Sequence, residues 1–396
     1  MVMPLQGVKV LDLSRLLPGP FASQVLADYG AEVIKVEDLE AGDYLRVLPP
    51  LVEGRGVMFH PINRGKKSLS LNLKSVSGQE VFRRLIKDAD VLLEGFRPGV
   101  MERLGLGYDN LKLINPRLIY CSITGYGYTG PYRDRAGHDI NYLSYAGIAG
   151  LIGELDRTPV IPGVQIADIG GGAMWAVIAI LMALRAREIT GEGQFCDVSM
   201  LDGAFSWTVL AMGLTSLTGT SPHRGNELLS GGYACYNIYP TADGGYVSLG
   251  AVEFKFWQEF CIAINRKEYI PLHIDPTAQP RLKREITELI STRTRQEWVE
   301  AFADYDFCFA PVLNYQEAMS NDQLRARQMI VDGNYSGLNG AVTGLPVKLS
   351  LTPGQVQDQV PEAGENTIDI LKRLGYTTEQ IQEMINQKAV AQSVKQ

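Results

Sequence analysis

VKVLDLSRLLPGPFASQVLADYGAEVIKVE, residues 8–37, is the stretch whose reading decides the fold. Residues 8–13 form a short apolar run fit for a buried strand. Gly19-Pro20 interrupts it, residues 21–29 have helical spacing and stop at Gly30, and residues 32–37 make a second strand. Strand, helix and strand in such close succession are a β-α-β unit, the seed of a parallel sheet. The alternation continues outward. Residues 68–73 alternate like a strand, 77–88 are helical, and 89–93 and 118–124 are further strands. Apolar helices are expected at 140–153 and 168–188. From 221 the texture turns Gly-rich and polar, with a strand at 246–249 and helices at 254–263 and 296–303. The fold class is therefore α/β. The chain divides into a large domain over 1–220, a small domain over 221–328, and a C-terminal return to the large domain over 329–396. In the return, 341–350 is expected as strand, 366–374 and 378–386 as helices, and the tail after Gln387 as frayed.

The chain has 396 residues, with 37 Lys+Arg against 44 Asp+Glu and a formal charge of −7. A hydrophobic share of 45% with only 20% charged residues supports a large core and excludes disorder. The acidic balance argues against a nucleic-acid partner. Cys121, Cys196, Cys235, Cys261 and Cys308 form no C-x-x-C pair. That disfavours a disulfide framework or a zinc knuckle and fits a reducing cytoplasm. Residues 1–7 carry neither a charged n-region nor an apolar h-region, so no signal peptide is expected. The longest apolar run, 173–184, is too short to span a bilayer and is expected as a buried helix, with no membrane partner.

Two familiar motifs fail on inspection. Gly125-Tyr-Gly-Tyr-Thr-Gly130 matches G-x-G-x-x-G, but Pro131 and a polar stretch follow where a helix must open. Gly65-Lys-Lys-Ser68 resembles the end of a phosphate loop, but His60 occupies the position of its first glycine. There is no G-x-S-x-G, and the four histidines form no H-x-x-x-H pair, so no metal site is expected.

Three polar residues stand out. His138 follows Gly137 at a helix start, Asp168 precedes Gly170-Gly171-Gly172 and a very apolar helix, and Glu253 follows the strand that ends at Gly250. Each has an ordinary alternative: a hydrogen-bonded helix-start histidine, an N-cap aspartate, and a solvated residue opening the next helix. Three glycines at a helix start are harder to explain, because each weakens the helix by about 1 kcal/mol relative to Ala. They make sense where a ligand or another backbone approaches closely. Arg64, Lys66, Lys67 and Lys74 cluster, and Arg97 and Arg103 flank an R-P-G turn. They suit a phosphate-bearing ligand, or a solvated rim.

The segments NRGKKSLSLNLK, ADVLLEGFRPGVMERLGLGYD, GHDINYLSYAGI, ADIGGG, TGEGQFCDVSMLDG, RGNELLSGGYACYNIYPTADGGYVSLGAVEFKFW and FCFAPVLN, together with the opening stretch, span most of the chain. In this order the chain resembles the class III CoA-transferase and α-methylacyl-CoA racemase (CaiB/BaiF-like) family, on the racemase branch. The resemblance implies a Rossmann-like large domain, a smaller α/β domain and an interlocked homodimer. It implies an acyl-CoA substrate in lipid metabolism, with coenzyme A present only as part of the substrate and no other cofactor. In the racemases, a His at the position of His138 and an Asp at that of Asp168 exchange the α-proton, and a Glu at the position of Glu253 supports them. In the transferases, the Asp attacks the thioester instead. The string GHDINY is racemase-like, while Phe254-Lys255 departs from the usual Pro-Gln or Pro-Lys. Coenzyme A contacts carry over to Leu71, Asn72, Leu73, Lys74, Gly95, Phe96, Arg97, Arg103, Gly137, Asp139, Ile140, Asn141 and Tyr142.

Overall fold

The computed structural model describes residues 2–40, 42–335 and 337–393. It divides into two compact units. The larger comprises Met1–Ala146, Val164–Trp207 and Asp322–Gln396, and the smaller Gly147–Gly163 and Thr208–Asn321. The smaller unit thus begins earlier than 221 and also takes in 147–163, a stretch that composition alone does not distinguish from its neighbours.

The larger unit is built on one sheet. Its strands are β1 (Lys9–Asp12), β2 (Glu32–Glu37), β3 (Lys66–Leu71), β4 (Val91–Glu94), β5 (Ile119–Thr124) and β6 (Phe195–Ser199). They lie in the order β3-β2-β1-β4-β5-β6, all parallel. Helices cover such a sheet on both faces, which is why β4 and β5 are buried at every position. The helix after β1 runs Pro18–Asp28 and starts at a proline, whose missing N–H is no loss in a first turn. One main core lies between the sheet and the Val76–Ile86, Thr367–Arg373 and Thr378–Asn386 helices.

The end of the chain does not fray through Ala391. Val390 and Ala391 pair antiparallel with Leu71 and Ser70 as an added edge strand, because Val390 is a buried apolar side chain there. Residues 394–396 lie outside the described residues, as does Met1. The strand expected at 341–350 is displaced: Leu338–Thr343 pairs with Ile330–Tyr335 as a hairpin. The helix expected over 140–153 is broken. Asp139–Tyr145 and Ile148–Leu151 are separated at Gly147, which takes φ 77°.

The apolar run at 173–184 belongs to a longer helical stretch, Ile166–Thr190, which contains an 18-residue window of mean hydropathy 1.8. It packs on the sheet with Ala176, Val177, Ile180 and Ala183 buried. The opposite side is open, with Met182 65% and Ile189 73% exposed. The expectation of a buried helix therefore holds for one face only.

The smaller unit carries an antiparallel sheet of β7 (Tyr236–Pro240), β8 (Tyr246–Gly250) and β9 (Phe309–Val312), with β8 central. Trp257, Phe260 and Tyr239 are buried in its own core.

Candidate active site

Three strands of the large sheet end in acidic residues: Asp12 on β1, Glu37 on β2 and Glu94 on β4, all at most 3% exposed. Parallel strands of this kind have no use for buried charge, so each carboxylate needs partners. Asp12 accepts from the Ser14 amide at 2.9 Å and the Ser23 hydroxyl at 2.6 Å, and pairs with Lys66 at 3.0 Å. Lys66 and Lys35 nearby hold the Asp12 carboxyl well below the carboxylate range despite burial. Glu94 accepts the Phe96 amide at 2.7 Å and the Tyr128 hydroxyl at 3.3 Å, and burial pushes it up to about 7. It thereby fixes the turn carrying Phe96 and Arg97.

β1 and β4 are neighbours in the sheet, and the strand order reverses direction between them. Ligands of open α/β sheets bind beyond the carboxyl ends of the strands at that point. A cavity of about 670 Å³ lies there, lined by Leu13 and Leu16 after β1, Gly95, Phe96 and Arg97 after β4, Thr124 at the end of β5 and Gly125 just beyond it. Gly137, His138, Asn141 and Tyr142 complete its wall.

His138 is the N-cap residue of the Asp139–Tyr145 helix, and its backbone N–H donates to Asn141 Oδ1 at 3.0 Å. Tyr142 reaches back over the glycines. Its hydroxyl donates to the Gly137 carbonyl at 2.6 Å, and a Cβ on Gly125 or Gly137 would lie 2.7 Å from its ring. Those two glycines are required by this ring.

Asp139 ties the helix to a distant segment. Its Oδ1 accepts the backbone N–H groups of Ala167 at 2.7 Å and Asp168 at 3.0 Å. His138 and Asp168 are thereby brought into one neighbourhood. Asp168 is not an N-cap; Gln165 is, and Asp168 lies inside the first turn of a π-helix, Ile166–Ala173. Wider π turns recur at functional sites. Burial pushes the Asp168 carboxyl up to about 6, the Asp139 carboxylate adds to the rise, and His138 opposes it.

The three glycines after Asp168 serve protein contacts. A Cβ on Gly170 would lie 2.2 Å from Trp207, and one on Gly171 would lie 2.5 Å from the Met200 carbonyl. Gly203 answers Gly171 from the Met200–Phe205 helix, where an added Cβ would meet the Gly171 carbonyl at 2.0 Å. Another backbone, one of the two partners the sequence left open, is found at Gly171, while Gly170 and Gly172 are met by the Trp207 and Met200 side chains.

Of the expected coenzyme A contacts, seven positions fall elsewhere than in the cavity lining. Leu71 ends β3 and Asn72, Leu73 and Lys74 follow it, Arg103 lies near the R-P-G turn, and Asp139 and Ile140 open the helix. A Cβ on Gly99 would approach both Arg103 and Arg133, at 3.2 and 3.7 Å, so two guanidinium groups converge on this turn. The basic cluster divides. Arg64 is buried against Asp28 at 2.7 Å and Lys66 against Asp12, so neither faces a ligand; Lys67 pairs with Glu32, and Lys74 is exposed. The Lys66 ammonium has all three donors satisfied, by Asp12, Pro20 O at 2.9 Å and Asn63 Oδ1 at 2.8 Å, and burial lowers it to about 8. Glu253 belongs to the smaller unit, where it is the exposed N-cap of the Phe254–Ala263 helix.

The sequence reading missed Arg15, Leu16, Tyr44, Arg133 and Arg135 on the cavity wall. Arg15 had a signal: it comes just after β1, at the position where such sheets bind ligands. Tyr44 had none.

The profile of CoA-transferase family III matches residues 5–367. The α-methylacyl-CoA racemase of Mus musculus is 35% identical over 394 residues, covering 98% of both chains. The succinyl-CoA–L-malate CoA-transferase beta subunit of Chloroflexus aurantiacus is 34% identical over 404 residues, again covering 98% of both. The crystal structure of a CAIB/BAIF family protein from Brucella suis superposes with a TM-score of 0.83 at 33% identity, covering 94% of this chain and 100% of that one.

Proposed function

This chain belongs to CoA-transferase family III, and on that footing we propose that it inverts the α-carbon of 2-methylacyl-CoA thioesters, with His138 and Asp168 as the acid–base pair. The thioester carbonyl acidifies the α-hydrogen. One group takes that proton, leaving an enolate, and the other returns a proton to the opposite face. One C–H bond breaks, one forms, and the roles swap with the hand of the substrate. Each positioned group contributes about 10²–10⁴-fold. The first amides of the Asp139–Tyr145 helix lack intrahelical partners, and those of Asp139 and Ile140 are donors for the enolate oxygen. A carboxyl near 6 suits both halves of the exchange at neutral pH. Arg97 and Arg103 would hold phosphates as forks and Lys74 as a point charge. Glu253 would support the pair, and the working form would be a homodimer.

The observation that carries this reading is the double acceptance by Asp139, which couples the helix of His138 to the backbone of Asp168. The test is isotope exchange. A 2-methylacyl-CoA in D₂O should gain α-deuterium, and His138→Ala and Asp168→Ala should each abolish the gain.

Similarity also favours a second reading. The Chloroflexus relative named as a CoA-transferase is nearly as similar as the mouse racemase. In that reading the Asp168 carboxylate attacks the thioester carbonyl, forms an acyl anhydride and releases CoA thiolate, which then attacks the aspartyl carbonyl of the anhydride, expels the donor's carboxylate and leaves an aspartyl-CoA thioester. Transfer of CoA between acids without α-exchange, and hydroxylamine-modified Asp168 after incubation with acyl-CoA, would establish this reading and overturn the first.

A further inference from the structure

The cavity holds a cation that the proposed chemistry does not use. Arg15 lines the same wall as His138. The backbone on either side of it is clamped by a buried ion pair: Lys35 and Asp43 meet at 2.9 Å, both fully buried. The Lys35 ammonium donates to the Ser14 carbonyl at 2.9 Å, and Asp43 Oδ1 accepts the Leu16 N–H at 3.3 Å. Leu16 itself has φ 62°, a left-handed conformation that costs a leucine energy and persists only when its surroundings impose it. The guanidinium lies 5.5 Å from the Tyr44 ring centroid and 5.8 Å from that of Phe96, and its Nη1 donates to the Tyr44 hydroxyl at 3.3 Å.

The buried cations of this region have carboxylate partners: Lys35 has Asp43, Lys66 has Asp12 and Arg64 has Asp28. Arg15 has none among the described residues. A half-buried, rigidly oriented guanidinium without a counter-charge, on the wall of an open cavity, is a seat for an oxyanion from outside the chain. The cations expected to hold the phosphates of coenzyme A, Lys74, Arg97 and Arg103, are exposed, as hydrated phosphates require. Arg97, Arg133 and Arg135 line the same cavity, but Arg97 is exposed whereas Arg15 is half-buried, and Leu13, Leu16, Ile123 and Met200 give that cavity apolar surroundings suited to an acyl chain.

We propose that Arg15 is a specificity-determining residue that takes a carboxylate at the far end of the acyl group. The preferred thioester is then a carboxyacyl-CoA, not a plain branched one. This rests on the acyl-CoA reading above, and it applies whether the α-carbon is inverted or CoA is transferred.

The test is equilibrium binding by calorimetry with the full chain, comparing succinyl-CoA, its uncharged isostere 4-methylpentanoyl-CoA, and free CoA. The wild type should prefer succinyl-CoA by about tenfold or more, the worth of a charged hydrogen bond. Arg15→Gln should bring that ratio close to one, and Arg15→Lys, which keeps the charge but loses the fork, should fall between. A wild-type ratio near one, or a ratio that survives Arg15→Gln, overturns the assignment. So does an Arg15→Gln variant that weakens free CoA as much as succinyl-CoA, because the guanidinium then holds a phosphate. If the ratio behaves as expected while neither α-exchange nor CoA transfer is found, the proposed reaction falls and the Arg15 assignment stands. Failure of all three probes to bind overturns both.

Discussion

Asp168 carries its charge at a disadvantage, and that has two measurable consequences. Its carboxyl is raised to about 6 from an ordinary 3.8, chiefly by burial. Above about pH 6 it is an available base, and below that it holds a proton. If the proposed exchange is the reaction, its rate in the direction where Asp168 would remove the α-proton should therefore fall as pH drops through about 6. Profiles of kcat/KM from pH 5 to 8 for each substrate hand check this, and two profiles without such a limb contradict it. The linkage sign follows from the same shift. A carboxyl whose folded pKa lies above its unfolded value destabilises the fold once ionised. Asp168→Asn should be more stable than the wild type at pH 8, by on the order of 1 kcal/mol, with the gain vanishing below about pH 4. Thermal melts at the two pH values decide it. Asp139 acts through position, since its side-chain oxygen holds the Ala167 and Asp168 amides. Asp139→Ala should lower kcat by about tenfold or more, and Asp139→Asn, which keeps an acceptor oxygen, should restore part of it while leaving KM close to that of the alanine variant. Equal kcat in the two variants would place the role of Asp139 in its charge.

At the scale of elements, the site depends on two backbones meeting without side chains between them. The π turn of Ile166–Ala173 and the Met200–Phe205 helix approach so closely that a Cβ on Gly203 would meet the Gly171 carbonyl at 2.0 Å. Gly203→Ala must push the two apart, at a cost of about 1–3 kcal/mol, and should displace Asp168 with them. Both the denaturant midpoint and the exchange rate are expected to fall; an unchanged midpoint would mean that the contact gives way easily. The triple glycine was visible in the sequence, but its partner was not, because Gly203 belongs to a separate helix. The same holds for the buried ion pairs across β1, β2 and β3. Lys66→Met alone leaves Asp12 charged and unpaired and should destabilise by about 3–5 kcal/mol, whereas pairing it with Asp12→Leu should recover most of the loss. In sequence, Lys66 was one more cation in a basic run; only the parallel pairing of β2 with β3 turns it inward.

At the scale of the whole molecule, the Ile166–Thr190 helix presents one apolar side to the sheet and leaves Met182 and Ile189 on the other. Exposed apolar surface of this kind marks an interface, and the proposed homodimer would cover it. Light scattering should give twice the chain mass, and Met182→Asp with Ile189→Asp should shift it toward the monomer; a monomeric wild type would end that proposal. The α/β class, the strand–helix alternation and the family likeness were all present in the one-dimensional string. Strand burial and helix spacing are local properties, set by which side chains recur at short intervals. What the string withheld is distributed over separate segments: the inward turn of Arg64 and Lys66, the edge strand at Val390, the closing of Asp139 on Asp168, and the clamp of Lys35 and Asp43 about Arg15. Each is a pairing of charges or backbones far apart along the chain. Such pairings acquire an energy only when the sheet order brings their members together and removes the water between them.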